Sequence, residues 1–132
     1  MDDRNLKNNK GVSPLHFAAK NGHFELCKLI FNVVEDKNPK TNLGVTPHHL
    51  AAWNGHFKIC EFFIRNLAEK NPAKNDGVTP LFRAAQNGQF KICKLIIENV
   101  ENKNPARNDG VRPYSLRMPR PSAQIKLFLS QS

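Results

Sequence analysis

Long apolar runs are missing from this chain of 132 residues. No stretch approaches the roughly 18 apolar residues of a helical membrane span. The opening Asp2-Asp3-Arg4-Asn5 is polar where a secretory signal needs an apolar region. Acids are scarce and scattered, 11 Asp and Glu against 20 Lys and Arg. There is no glycine-rich phosphate loop and no Cys-x-x-Cys, and the adjacent His48-His49 pair lacks the spacing of a metal site. Catalysis needs a nucleophile, a base and an orienting group in one sheltered pocket, and these residues do not compose one. The sequence therefore predicts no enzyme, no metal site and no cofactor.

What the chain does have is a period. Gly11, Gly44, Gly77 and Gly110 stand 33 residues apart and open the phrases GVSP, GVTP, GVTP and GVRP. The same register holds Gly22/Gly55/Gly88, Phe24/Phe57/Phe90, Cys27/Cys60/Cys93 and Asn38/Asn71/Asn104 without insertion. Residues 44–76 and 77–109 agree at 20 of 33 positions. A period of this length means supersecondary units stacked in a row, each touching only its neighbours.

Within a unit the residues predict two helices and a projecting hairpin. Ser13, Thr46 or Thr79 is placed to cap a helix, and the proline that follows suits the first helical position, where a missing N–H costs nothing. A short first helix runs through the Ala18-Ala19, Ala51-Ala52 or Ala84-Ala85 pair, whose small side chains allow close approach to neighbouring units. Asn-Gly at 21–22, 54–55 and 87–88 ends it. In the second helix of the third unit, Cys93, Ile96 and Val100 form one stripe flanked by Ile92 and Leu95, with Lys91, Lys94 and Glu98 opposite. Val34, Leu67 and Val100 stand at its end, where a glycine would stop it, so this helix is expected to run about a turn further.

The cysteines, one per unit on the apolar stripe, read as small buried hydrophobes. Equivalent positions in stacked helices lie roughly 8–10 Å apart, beyond the roughly 7 Å between Cα atoms that a disulfide tolerates. Unpaired thiols fit a reducing compartment, hence cytoplasm or nucleus. The formal net charge is +9, but the cations are spread over hairpins and helix exteriors without a compact cluster.

The segments GVSPLHFAAKNGH and GVTPHHLAAWNGH closely resemble the core of ankyrin repeats. The resemblance divides the chain into repeats at 11–43, 44–76 and 77–109, a degenerate capping repeat at 110–132, and residues 1–10 as the mobile tail of a missing preceding repeat, with Asp3-Arg4-Asn5 aligned on Asp36-Lys37-Asn38. It implies an all-α repeat solenoid of stacked helix-turn-helix units with short hairpin loops. It also implies that His16 and His49 bond the capping hydroxyl and nearby backbone. Phe82 departs from that histidine, and His48 replaces a normally buried leucine, which predicts a softer second repeat. Asn8, Thr41, Lys74 and Arg107 stand where the family favours aspartate, making the fingers more basic. Arg117-Met118, Pro119 and Pro121 break the last first helix, while Ser122, Ile125, Phe128 and Leu129 keep the register of its second.

The family resemblance implies a protein-binding scaffold or adaptor that uses its concave face, built by hairpin tips and first helices. The candidate contact residues are Lys10, Lys20, Asn21, Asn42, Leu43, Trp53, Asn54, Asn75, Asp76, Arg83, Gln86 and Asn87. Trp53, the only tryptophan, is the candidate anchor. The expected partner is another protein with an acidic surface, met by a monomer. Two alternatives are association with a polyanion through dispersed charge, against which stands the lack of any nucleic-acid motif, and a piece of a longer array with no partner of its own.

Overall fold

The structure, a computed structural model, describes residues 6–113. Its helices come in pairs: α1 (Pro14–Lys20) with α2 (Phe24–Val33), α3 (Pro47–Trp53) with α4 (Phe57–Asn66), and α5 (Pro80–Gln86) with α6 (Phe90–Ile97). Among the described residues there is no strand. α1, α3 and α5 pack in one row and α2, α4 and α6 in a second behind it, the solenoid that the period predicts.

Each first helix starts where its capping residue directs. Ser13 and Thr46 have extended backbone and accept the N–H of His16 and His49. The histidines answer: His16 Nδ1 accepts the Ser13 N–H at 3.1 Å and His49 Nδ1 accepts the Thr46 N–H at 3.1 Å. With Nδ1 accepting, the proton sits on Nε2, which donates to the next repeat at 2.8 Å, His16 to the Val45 carbonyl and His49 to that of Val78. One side chain thus closes a cap and ties two repeats together. Phe82 cannot do this; it is fully buried, with the Arg107 guanidinium 5.1 Å from its ring centre.

All six paired alanines are buried, which brings the first helices close together. Behind them the core runs through Cys27, Cys60 and Cys93, with Ile59, Phe63, Ile64, Ile92, Ile96 and Ile97. Burial raises the Cys27 and Cys93 thiols to about 11 and about 12, so they stay protonated and unreactive as the apolar stripe predicts. Phe31 meets Phe62 of the next repeat edge to face at 4.9 Å. His48 lies in this core at 1% exposure with neither ring nitrogen hydrogen-bonded, 6.0 Å from the Phe63 ring.

The ends of the second helices differ from the expectation. α2 and α4 stop at Val33 and Asn66, and Val34 and Leu67 are already extended, with ψ of 150° and 142°. The reason lies beyond the helix. Lys37 donates to the Phe31 and Val34 carbonyls, Lys70 to those of Ile64 and Leu67, and Lys103 to those of Ile97 and Val100. A lysine folded back on each end satisfies helix carbonyls that a glycine turn would otherwise close. Lys70→Met keeps the stem and removes the ammonium; it is expected to lower stability by about 1–2 kcal/mol. Urea unfolding with an unchanged midpoint would rule the clamp out.

The expectations for Asp3-Arg4-Asn5 and for Arg117 through Leu129 lie outside the described residues. Residues 8–12 are described and form the first finger, with Asn8 Oδ1 accepting the Lys10 and Val12 N–H groups.

Candidate functional site

Four fingers project beside the first helices, and one asparagine on each of the second, third and fourth joins it to the finger before. Asn42 donates its N–H to the Lys10 carbonyl at 2.9 Å and its amide to that of Asn9 at 3.0 Å. Asn75 repeats the pair on Leu43 and Asn42, and Asn108 on Asp76 and Asn75. Asn42 and Asn75, read from the sequence as contact residues, therefore hold the fingers in a row. Asn21 and Asn54 donate to the Phe17 and Leu50 carbonyls at their own helix ends, and Asn87 to the Trp53 carbonyl. These amides shape the face.

The fingers carry less net charge than the run of Lys74 and Arg107 suggests. Lys74 pairs with Asp76 at 2.8 Å, and Asp76 also accepts the Val78 N–H at 3.0 Å. Arg107 Nε donates to Asp109 at 2.9 Å, and that bond holds the Asp109 carboxyl down to about 2. The aspartates two residues on, together with Asn8 and Thr41, provide the turn acceptors; Thr41 Oγ1 accepts the Val45 N–H at 3.1 Å.

Between fingers and helices lie two adjoining hollows. One, of about 260 Å³, is lined by Val45, His49, Leu50, Trp53, Lys74 and Arg83. Trp53 is 37% exposed, and the Arg83 guanidinium lies over its ring at 5.1 Å from the centre. Gln86 Oε1 accepts from Arg83 at 3.0 Å and steadies the stack. The second hollow, of about 290 Å³, is lined by Val12, His16, Phe17, Lys20, Thr41, Val45 and Leu50. Phe17 stands there 54% exposed.

The structure thus gathers Lys20, Trp53, Arg83 and Gln86 around one apolar groove. Lys10 lies apart at the first finger tip beside Asn8 and Asn9, and Leu43 stands 64% exposed on the second. Val45 and Lys74 were absent from the sequence-derived set, although Val45 lines both hollows. Its signal was present: a valine after each finger glycine, adjacent to a capping residue whose helix lines the groove.

Among the described residues no three His, Cys, Asp or Glu side chains come together to hold a metal ion, and no helix is long and apolar enough to cross a membrane. The fold is a repeat solenoid with a groove between its fingers and first helices. Residues 1–74 and 35–109 match the family of ankyrin repeats (3 copies), and the chain belongs to that family. Ankyrin repeats generally mediate protein–protein interaction, and proteins built from them are typically non-enzymatic scaffolds. No curated protein matches the chain well enough to count as a relative.

Proposed function

We propose that the chain is a non-enzymatic adaptor that binds another protein through the groove between its fingers and first helices. The observation that carries this reading is the half-exposed Trp53, held flat by Arg83 beside an apolar hollow with Lys20 and Lys74 at its rim. A rigid aromatic with one face covered loses little freedom on binding, and such residues dominate interface energetics. Lys20 at the rim favours a partner segment that brings an apolar side chain to Trp53 and a carboxylate to that lysine, since Lys74 is already paired with Asp76. The protonated, buried thiols suit a reducing compartment, cytoplasm or nucleus.

Capture from the source cells with Trp53→Ala as the paired control tests this. The variant is expected to weaken partner binding about 5- to 30-fold, corresponding to about 1–2 kcal/mol, with the helical circular dichroism signal unchanged. A partner that binds both proteins equally and dissociates steeply with salt is instead held by dispersed charge, the polyanion mode.

A further inference from the structure

A hollow of about 640 Å³, larger than either of those in the groove, lies at the N-terminal end of the stack, where Leu6, Val12, Pro14, Phe17, Leu26 and Ile30 line it. Three of its apolar residues, Pro14, Leu26 and Ile30, occupy positions that the second and third repeats bury. Leu26 is 45% exposed, whereas Ile59 and Ile92, one and two periods on, are 1% and 2% exposed. Leu29 is 63% exposed, whereas Phe62 at its equivalent position packs on Phe31 of the preceding repeat. Pro14 is exposed; Pro47 and Pro80 are buried.

The polar groups repeat the pattern. Asn42, Asn75 and Asn108 each donate backward to two carbonyls of the preceding finger. Asn9 holds the equivalent place, and its N–H and amide reach no acceptor among the described residues. His56 Nε2 bonds backward to the Lys20 carbonyl at 2.9 Å. His23 is its equivalent, and it borders the open hollow. The apolar surface and the unused donors are therefore both in the register of the stacking contact made by the second repeat on the first.

We propose that this end is a stacking surface for one more ankyrin-type helix pair, joined ahead of Leu6 at the same period. Its occupant presents two finger-tip carbonyls to Asn9, a helix-end carbonyl to His23, and an aromatic or aliphatic face to Leu26 and Leu29. This is the surface that the first repeat itself offers to the second. Continuity with that contact favours a repeat over an unrelated partner, because an arbitrary apolar ligand would leave Asn9 and His23 unused.

The test adds a copy of residues 8–33 directly ahead of Met1 of the full chain, which preserves the period and supplies the finger-tip carbonyls equivalent to those of Asn9 and Lys10. The extended protein is expected to melt at least about 5 °C higher than the parent, with slowed hydrogen exchange at the amides of residues 15–30. Leu26→Lys with Leu29→Lys should move the parent by less than about 2 °C, since both side chains face solvent there, and should abolish the gain in the extended protein. The proposal fails if the extension brings no gain, or if the gain survives the lysine pair. It also fails if the parent self-associates in sedimentation and the same pair abolishes it, which assigns the surface to a second copy. None of these readouts depends on Trp53, so they leave the groove reading untouched.

Discussion

Acidification from pH 7 to pH 5 is expected to destabilise the protein by about 4 kcal/mol through two histidines alone. Burial holds His48 down to about 3, helped by the neighbouring His49. Burial likewise holds His49 down to about 4; the Val78 carbonyl and Asp76 push the other way, and Arg83 and Lys74 reinforce the fall. Both folded values lie below the ordinary histidine value near 6.5. In the window between, the unfolded chain binds protons that the native state refuses, so stability rises with pH and is lost as pH falls below about 6.5. Each histidine contributes about 2 kcal/mol of loss at pH 5. His16, also lowered by burial, adds to it in the same direction.

Against a typical net stability of about 5–15 kcal/mol this is a large fraction. Melting temperature should drop by more than about 15 °C between the two pH values. His48→Leu isolates one contributor. It removes two ring nitrogens that lie buried without a hydrogen bond, and should raise stability at pH 7 by about 1–3 kcal/mol while removing about half of the acid loss. Parallel pH profiles for the variant and the parent would place the sensitivity elsewhere.

His48 was legible in the sequence as a misfit, because it interrupts a position that the period assigns to the core. The caps, the alanine row and the buried cysteines were legible for the same reason, since each depends on spacing within one unit. What escaped were contacts made across units or after the end of a helix. The period sets Lys37 apart from Lys40, since Lys37 recurs as Lys70 and Lys103 while Ala73 and Ala106 take the place of Lys40, but recurrence alone does not show that the side chain folds back to clamp two helix carbonyls. The valine and leucine at the helix ends suggested continuation, yet the clamp stops the helix there. In the groove, Trp53 could be read as a break in the period, but its stack with Arg83 joins residues 30 positions apart and depends on how closely α3 and α5 approach. Likewise the charge of the fingers could be counted from sequence, whereas its cancellation by Asp76 and Asp109 is a matter of turn geometry.

Gly44→Ala is expected to cost about 2–4 kcal/mol and to disorganise the groove. Gly44 has φ of 85°, where an alanine costs about 1–2 kcal/mol. That strain is only part of the effect. A Cβ there would stand 2.7 Å from Asn75 Oδ1 and 2.9 Å from Asn75 N, too close for either to remain. Moving them shifts the Asn75 N–H, which donates to the Leu43 carbonyl, and with Oδ1 the whole side-chain amide, whose Nδ2 donates to the Asn42 carbonyl, so two hydrogen bonds between the second and third fingers loosen at about 1 kcal/mol each. Gly88→Ala supplies the control. Its φ is 66°, but a Cβ there meets nothing within 4 Å, so only the backbone strain applies. Urea unfolding of the two variants should differ by about 1–2 kcal/mol, and amide shifts at Asn75 and Leu43 should move in Gly44→Ala alone. If the fingers align the groove, Gly44→Ala also weakens partner binding while Gly88→Ala leaves it unchanged. Equal losses of stability in the two variants would mean that the asparagine ladder adds nothing beyond the turn, and that the groove is shaped by the helices alone.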